Sequence, residues 1–171
     1  YFSFTTPIDN LIPITILRHP SEIKNVKGTI DLVSLSFSNC QVFDGEEFES
    51  SKILKEGHEN IVVFPNSSAI ELEEMKITAS KKYHFIFIDG TWKKAYKIFK
   101  LNSFLQTIPS ITIRLEQLSP YSDIRKQKEF GLSSLEAICE TLGTLENKKS
   151  LYEPLLLNFN EFIKKLKSFT H

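Results

Sequence analysis

A carboxylate, a hydroxyl and an indole ring lie within four consecutive residues, Asp89-Gly90-Thr91-Trp92, and Trp92 is the only tryptophan of the chain. A carboxylate at the end of an apolar run can act as a general base when it faces a cleft. Gly90 allows a backbone or a ligand to approach closely, and Thr91 is a typical helix N-cap. The spacing alone is equally compatible with a plain turn and cap, so both interpretations stay open.

Lysines recur at helical spacing directly after this stretch. They fall at positions i, i+4 and i+7, so a helix would present them as one stripe. Trp92, Ala95 and Phe99 fall on another face, which we predict to pack inward. Trp92 is also a candidate for stacking on a base, although a lone tryptophan more often belongs to a core. Such a stripe is usually solvated surface, but beside a candidate carboxylate it also suits nucleic acid phosphates. Its members are Lys93, Lys97 and Lys100.

A long polar segment, Ser119 to Ala137, holds the second group of candidate residues. Tyr121 and Arg125 lie within it, and Ser133 with Glu136 forms a capping box that predicts a helix start. The free N–H groups of a helix start suit a carboxylate or a phosphate. Long loops in compact domains are often functional. A surface loop followed by a capped helix is the alternative interpretation.

Two further strand ends carry polar or turn-forming residues. Arg18 and His19 follow the first predicted strand, and Phe64-Pro65 ends another. A histidine can act as a base near neutral pH, but a single histidine in a turn is more often structural.

Five apolar, β-branched runs are separated by turn signals, and we predict them to be strands. Continuous apolar runs favour strands buried on both faces, as in a parallel sheet. They are residues 14–17, 40–43, 61–64, 84–88 and 111–115.

Helical patterns fall between these runs, at residues 29–37, 67–80, 92–101, 133–145 and 153–169. Alternating strands and helices predict an α/β fold with an open, mostly parallel sheet flanked by helices. Ligands of such sheets bind beyond the carboxyl ends of the strands. This places Asp89 and Thr91 where the fold presents its chemistry.

The composition is that of one globular domain. The chain has 171 residues, of which 41% are hydrophobic and 25% charged, and it shows no internal repeat and no linker. No apolar stretch is long enough to span a bilayer, so we expect no membrane partner. Cys40 and Cys139 are far apart and form no Cys-x-x-Cys pair, which predicts reduced thiols and favours a cytoplasmic location.

The net charge of zero hides two oppositely charged regions. Nine acidic residues oppose two lysines between residues 44 and 74, whereas six lysines oppose one aspartate between residues 81 and 100. Local fields steer an anionic partner more than total charge does. We therefore expect RNA to avoid the acidic region.

Several common catalytic motifs are absent from the sequence. It contains no glycine-rich dinucleotide fingerprint, no phosphate-binding P-loop, no zinc-protease motif and no nucleophile elbow. We exclude the corresponding enzyme classes, and we predict no metal site.

Five blocks of sequence, in chain order, resemble the DTW-domain family, which is named for an Asp-x-Thr-Trp motif. The resemblance covers about residues 11 to 145. The blocks are Ile16–Glu22 followed by Thr29, Val63–Ala69, Asp89–Trp92, Tyr121–Gln127 and Gly131–Ile138.

The resemblance implies a tRNA-uridine aminocarboxypropyltransferase. Such an enzyme moves the 3-amino-3-carboxypropyl group of S-adenosylmethionine, its co-substrate, to N3 of a uridine in tRNA. It also implies a SPOUT-like fold with a C-terminal trefoil knot. We expect residues 1–171 to form a single DTW domain, and we favour a monomer.

The sequence departs from the family pattern in three places. Gly90 stands where the family often has Ala, and Ser134 stands where it has Thr. The N-terminal cysteine cluster of the family is missing, either because this branch lacks it or because it lies upstream, and no zinc is expected.

By this resemblance Asp89, Thr91 and Trp92 are the catalytic candidates, with Asp89 taking or orienting the proton on N3. The candidate residues for RNA binding are Arg18, His19, Lys93, Lys97 and Lys100. Those for S-adenosylmethionine are Phe64, Pro65, Leu115, Ser119, Tyr121, Arg125, Leu132, Ser133 and Ser134.

Two other functional classes remain. One is a related enzyme that uses S-adenosylmethionine, either an rRNA-directed aminocarboxypropyltransferase or a SPOUT-type RNA methyltransferase. The other is a non-catalytic RNA-binding module.

Overall fold

Six short strands pair in parallel into one sheet in the computed structural model, which describes residues 10–23, 30–113, 134–146, 150, 152–154 and 157. The strands are β1 (Ile14–Arg18), β2 (Cys40–Asp44), β3 (Glu59–Val63), β4 (Ile70–Glu71), β5 (Tyr83–Asp89) and β6 (Ser110–Thr112). Their order across the sheet is β2-β1-β5-β3-β6-β4. The predicted α/β class and parallel sheet are therefore confirmed.

Five α-helices and two 3-10 turns have both ends within the described part of the chain. The helices are α1 (Ile30–Ser36), α2 (Ser50–Ile53), α3 (Trp92–Leu101), α4 (Phe104–Thr107) and α5 (Ser134–Leu145). The 3-10 turns are Pro20–Glu22 and Leu72–Glu74.

The two central strands bury side chains on both faces. In β5, Phe85 and Phe87 belong to one hydrophobic cluster, whereas Ile86 between them belongs to a second cluster. Successive side chains of a strand point to opposite faces, so the clusters lie on opposite sides of the sheet. Helices α1 and α5 cover the first side and α3 covers the second. This two-sided burial explains the unbroken apolar runs.

The connections of β1 and β5 diverge. β1 leads through α1 to its outer neighbour β2, whereas β5 leads through α3 and α4 to β6, beyond β3 in the opposite direction. Neighbouring strands whose connections leave in opposite directions form a topological switch point, where open α/β sheets bind ligands. The carboxyl ends of β1 and β5 are this position.

The predicted strands are all present, with small differences at their ends. β3 begins two residues before the predicted run and ends at Val63, and β6 ends at Thr112 in the described part. The predicted helices at 29–37 and 92–101 are confirmed by α1 and α3, and α5 confirms the helix of the 133–145 region. Ser133 lies outside the described residues. Of the predicted closing helix, the described residues 153, 154 and 157 are helical.

The helix predicted for residues 67–80 is wrong. The side chain of Asn66 turns the chain by accepting a hydrogen bond from the Ser68 N–H (2.9 Å). Ile70 and Glu71 then pair with β6 as the edge strand β4. Leu72 is buried while Ile70 is exposed, so the segment has no continuous apolar face for a helix. Pairing with the sheet has overridden the local helical preference.

A polar chain crosses the amino-terminal ends of three strands. The Nδ1 of the buried His84 donates to Asn60 Oδ1 (2.6 Å), because the Asn60 amide already donates to the carbonyls of Lys55 and His58. Nε2 then accepts from the Thr15 hydroxyl (2.6 Å). Burial lowers the pKa of His84 to about 4. The ring is therefore neutral at physiological pH.

The two cysteines are free, as predicted, and burial raises the pKa of Cys40 to about 12. Among the described residues, no helix combines the length and apolarity needed to cross a bilayer.

Candidate active site

The carboxyl ends of β1 and β5 are joined directly at the switch point. Arg18 lies opposite Asp89 in the parallel register, and the His19 N–H donates to the Asp89 carbonyl oxygen (2.9 Å). The two predicted motifs, Arg18-His19 and Asp89 to Trp92, are therefore adjacent in space.

Asp89 is almost fully buried, with 2% of its surface exposed. It is the last residue of β5, and Gly90 follows at the start of the turn into α3. A Cβ on Gly90 would lie 3.4 Å from the Cβ atoms of His19 and Lys94. The backbone after the carboxylate is thus closely packed against both neighbouring elements.

Thr91 is the N-cap of α3, as predicted. Its backbone is extended, and its hydroxyl oxygen accepts a hydrogen bond from the Lys94 N–H (3.4 Å). The cap satisfies one of the free N–H groups of the first turn and fixes where the helix begins. This confirms the structural role of Thr91, while its catalytic role stays a prediction.

Trp92 lies at the surface and does not pack fully inward as the helical pattern predicts. It is 37% exposed, but its ring stacks on Phe64, with centroids 5.4 Å apart and planes at 11°. Phe64 stacks in turn on the buried Phe99 (4.8 Å). Ala95 and Phe99 are buried, as predicted. The stack holds the residue that follows β3 against the start of α3.

Two acidic side chains from β2 and the loop after it bind the basic residues of the site. Arg18 forms a bidentate pair with Asp44, in which Nη2 lies 3.1 Å from Oδ2. Glu46 Oε2 accepts from His19 Nε2 (2.7 Å) and from Lys97 Nζ (3.0 Å). The hydrogen bond from Lys97, and then that from His19, lowers the pKa of the Glu46 carboxyl.

The His19 ring is oriented by its two partners. Nδ1 accepts a hydrogen bond from the Ser21 N–H (3.1 Å), so Nε2 carries the proton that faces Glu46. The structure thus gives His19 a defined structural role at the site. Its role in RNA binding stays a prediction.

The three lysines of the predicted stripe are all exposed along α3. Lys97 is paired with Glu46, and the Lys100 ammonium lies 5.4 Å from the centre of the Tyr96 ring. The predicted spacing is confirmed, and contact with RNA is untested.

The predicted site for S-adenosylmethionine is described only in part. Phe64 is buried directly after β3, and Pro65 beside it is exposed. The backbone of Ser134 begins α5. In the part of the chain that the structure describes, no group of His, Cys, Asp and Glu side chains could hold a metal. The other predicted residues, Leu115, Ser119, Tyr121, Arg125, Leu132 and Ser133, lie outside the described residues.

Sequence reasoning missed three residues of this region. Glu46 joins His19 to α3, and the Asn102 amide donates to the Glu46 carbonyl (2.8 Å), which fixes the other end of that helix. These contacts depend on strand order and leave no local signal. Tyr96 is 47% exposed, and its position four residues after Trp92 was a usable signal.

Comparison with known proteins gives the chain its family. Its residues 2–167 match the DTW domain model. It is 28% identical over 159 residues to a Mus musculus protein named tRNA-uridine aminocarboxypropyltransferase 2, covering 88% of this chain and 53% of that protein. It is 30% identical over 151 residues to the Macaca fascicularis protein of the same name, covering 82% and 50% respectively. No solved structure matches. The chain spans about half the length of these curated relatives, and it belongs to the DTW domain family.

Proposed function

We propose that this chain transfers the 3-amino-3-carboxypropyl group of S-adenosylmethionine to N3 of a uridine in tRNA. The family and the names of the two relatives support this proposal. The single observation that carries it is the position of Asp89. A carboxylate with 2% of its surface exposed lies at the carboxyl end of a central strand, where sheets of this type bind ligands.

The reaction needs a base and close alignment of two substrates. S-adenosylmethionine supplies an electrophilic γ-carbon, which forms a bond to N3 as its bond to sulfur breaks and the electron pair leaves with the sulfur. N3 of uridine carries a proton that must be removed for the nitrogen to attack. We assign that proton to the Asp89 carboxylate. Holding N3 in line with the carbon supplies much of the remaining rate acceleration.

The described residues suit a site of this kind at the strand ends. Asp89 is held by the contact of its carbonyl with the His19 N–H and by the capped start of α3. Phe64 is buried beneath the Trp92 ring, which keeps the neighbouring strand end apolar. We propose that Phe64 and Pro65 line the donor site together with the residues predicted in the 115–134 region.

The rest of the functional assignment follows from the same proposal. We propose that tRNA approaches the α3 side of the switch point, that the chain acts as a monomer in the cytoplasm, and that the fold is SPOUT-like with a C-terminal knot.

The proposal is tested by identifying the product. The chain is incubated with bulk tRNA and with S-adenosylmethionine labelled either in the methyl group or in the carboxyl carbon, and digested RNA is analysed by mass spectrometry. We expect the carboxyl label on uridine, with the substituent at N3, and no methyl label. Methyl label on the RNA would instead identify a SPOUT-type methyltransferase.

The remaining outcomes separate the other classes. Carboxyl label that enters rRNA and leaves tRNA unlabelled would assign an rRNA-directed transferase. A chain that binds tRNA but neither labels RNA nor binds S-adenosylmethionine in calorimetry would be a non-catalytic RNA-binding module.

A further inference from the structure

Two aromatic rings are displayed one helical turn apart on the exposed side of α3. Trp92 is 37% exposed and Tyr96 is 47% exposed. Positions i and i+4 of a helix are neighbours on its surface. We call these two exposed rings the aromatic strip, and it starts three residues after Asp89.

Each ring has a neighbour over one of its faces. Phe64 covers one face of Trp92 in a near-parallel stack, and Phe99 supports Phe64. The Lys100 ammonium lies 5.4 Å from the centre of the Tyr96 ring. Because Trp92 is already held by its stack on Phe64, it loses little conformational entropy when a ligand stacks on it.

The charge around the strip indicates what it binds. Lys93, Lys97 and Lys100 are exposed on the same helix, in a stripe beside the two rings. Aromatic rings that stack on bases, set among cations that contact phosphates, are the pattern of single-stranded nucleic acid binding. A lipid surface or a protein partner would not explain this combination of rings and cations as directly.

We propose that Trp92 and Tyr96 form a stacking platform for unpaired bases that flank the modified uridine, with Lys93 and Lys100 contacting the adjoining phosphates. The inference rests on the proposed function in taking RNA as the substrate. It adds that the substrate is recognised through unstacked nucleotides next to the target, and it assigns to Tyr96 a role that the sequence analysis did not predict.

The only tryptophan of the chain makes this contact directly measurable. We expect a short oligouridylate to quench Trp92 emission in a saturable manner. Inorganic polyphosphate of equal charge should bind the lysines without quenching, because it has no bases. Equal quenching by both probes, or none by the oligouridylate, would overturn the platform.

Variants of Tyr96 separate stacking from charge. Tyr96→Ala should weaken oligouridylate binding roughly 5- to 150-fold and leave polyphosphate binding unchanged, whereas Tyr96→Phe should stay close to wild type. Leu101→Ala is the matched control, since Leu101 is exposed to a similar degree (44%) at the end of the same helix. Circular dichroism and thermal unfolding establish that each variant is folded.

The remaining outcomes distinguish this inference from the proposed function. If quenching depends on Tyr96 but the chain transfers no group to RNA, the stacking platform is supported and the proposed transfer is refuted. Normal transfer to tRNA by Tyr96→Ala, with unchanged RNA affinity, would refute the platform alone. If Trp92 emission changes with protein concentration and Tyr96→Ala abolishes a dimer, the aromatic strip binds a second copy of the chain and the platform for bases is refuted.

Discussion

At the scale of single residues, Asp44 and Asp89 lie at equivalent positions in different surroundings. Both are register partners of Arg18, one at the end of β2 and the other at the end of β5. Asp44 is partly exposed and pairs with Arg18, whereas Asp89 is buried. β2 is an edge strand, so Asp44 forms its ion pair at the surface. β5 is a central strand, so Asp89 is buried and is the candidate base.

Gly90 provides a test of the packing around Asp89. Gly90→Ala should keep or raise the free energy of unfolding, by up to about 1 kcal/mol, because the added Cβ meets its nearest neighbours at 3.4 Å and the unfolded chain loses entropy. Gly57→Ala should lower it by about 1 kcal/mol, because Gly57 has φ = 77° although nothing lies within 4 Å of its Cβ position. Urea denaturation measures both. The opposite order of stabilities would contradict the described turn geometry.

At the scale of elements, the junction between β5 and α3 was predictable because its signals are local. An unbroken apolar run, an Asp-Gly turn and a threonine cap each act within a few residues, and all three are found in place. Segment 67–80 was not predictable in this way, because its short strand exists only through pairing with β6. Local sequence cannot contain the contribution of a partner strand that is distant in the chain.

The buried polar chain through β1, β3 and β5 makes stability depend on pH. The pKa of His84 is about 4 in the folded chain and 6.5 when unperturbed. The unfolded chain therefore binds the proton first as pH falls, so stability is complete above pH 6.5 and declines towards pH 4. We expect a loss of about 3 kcal/mol across this window, measured by urea denaturation at several pH values.

The control for this prediction removes the titrating ring. His84→Gln should flatten the pH dependence between these limits, whereas His58→Gln, which keeps His84 in place, should largely preserve it. An unchanged slope in His84→Gln would show that other groups are responsible.

At the scale of the whole molecule, the fold brings together the two oppositely charged regions of the sequence. Asp44 and Glu46 belong to the acidic region, yet they bind Arg18, His19 and Lys97. The charge separation seen in the sequence therefore overstates the positive field near Asp89. The two strand ends carry the predicted motifs and lie side by side. The acidic side chains that pair with them come from β2 and the loop after it, a position that depends on strand order and that residue spacing does not reveal.

Glu46 should limit how strongly RNA engages α3. Glu46→Gln removes the charge that holds Lys97, so Lys97 becomes available to a phosphate. The slope of log affinity for tRNA against log salt concentration should steepen by roughly 0.7 to 0.9, as measured by fluorescence anisotropy. Glu49→Gln is the matched control, because it makes the same change in net charge while its own partner is Lys52 on α2 (3.8 Å). Equal slopes in the two variants would contradict a specific role of Glu46.

The role of Asp89 as the base is measured by the single-turnover rate of Asp89→Asn with saturating tRNA and S-adenosylmethionine. We predict a rate about 10²- to 10⁴-fold below wild type, with the affinities for both substrates retained. Asp44→Asn, the same change at the equivalent strand end, should stay close to the wild-type rate. Transfer by Asp89→Asn at the wild-type rate, with both substrates bound, would contradict the assignment of Asp89 as the base.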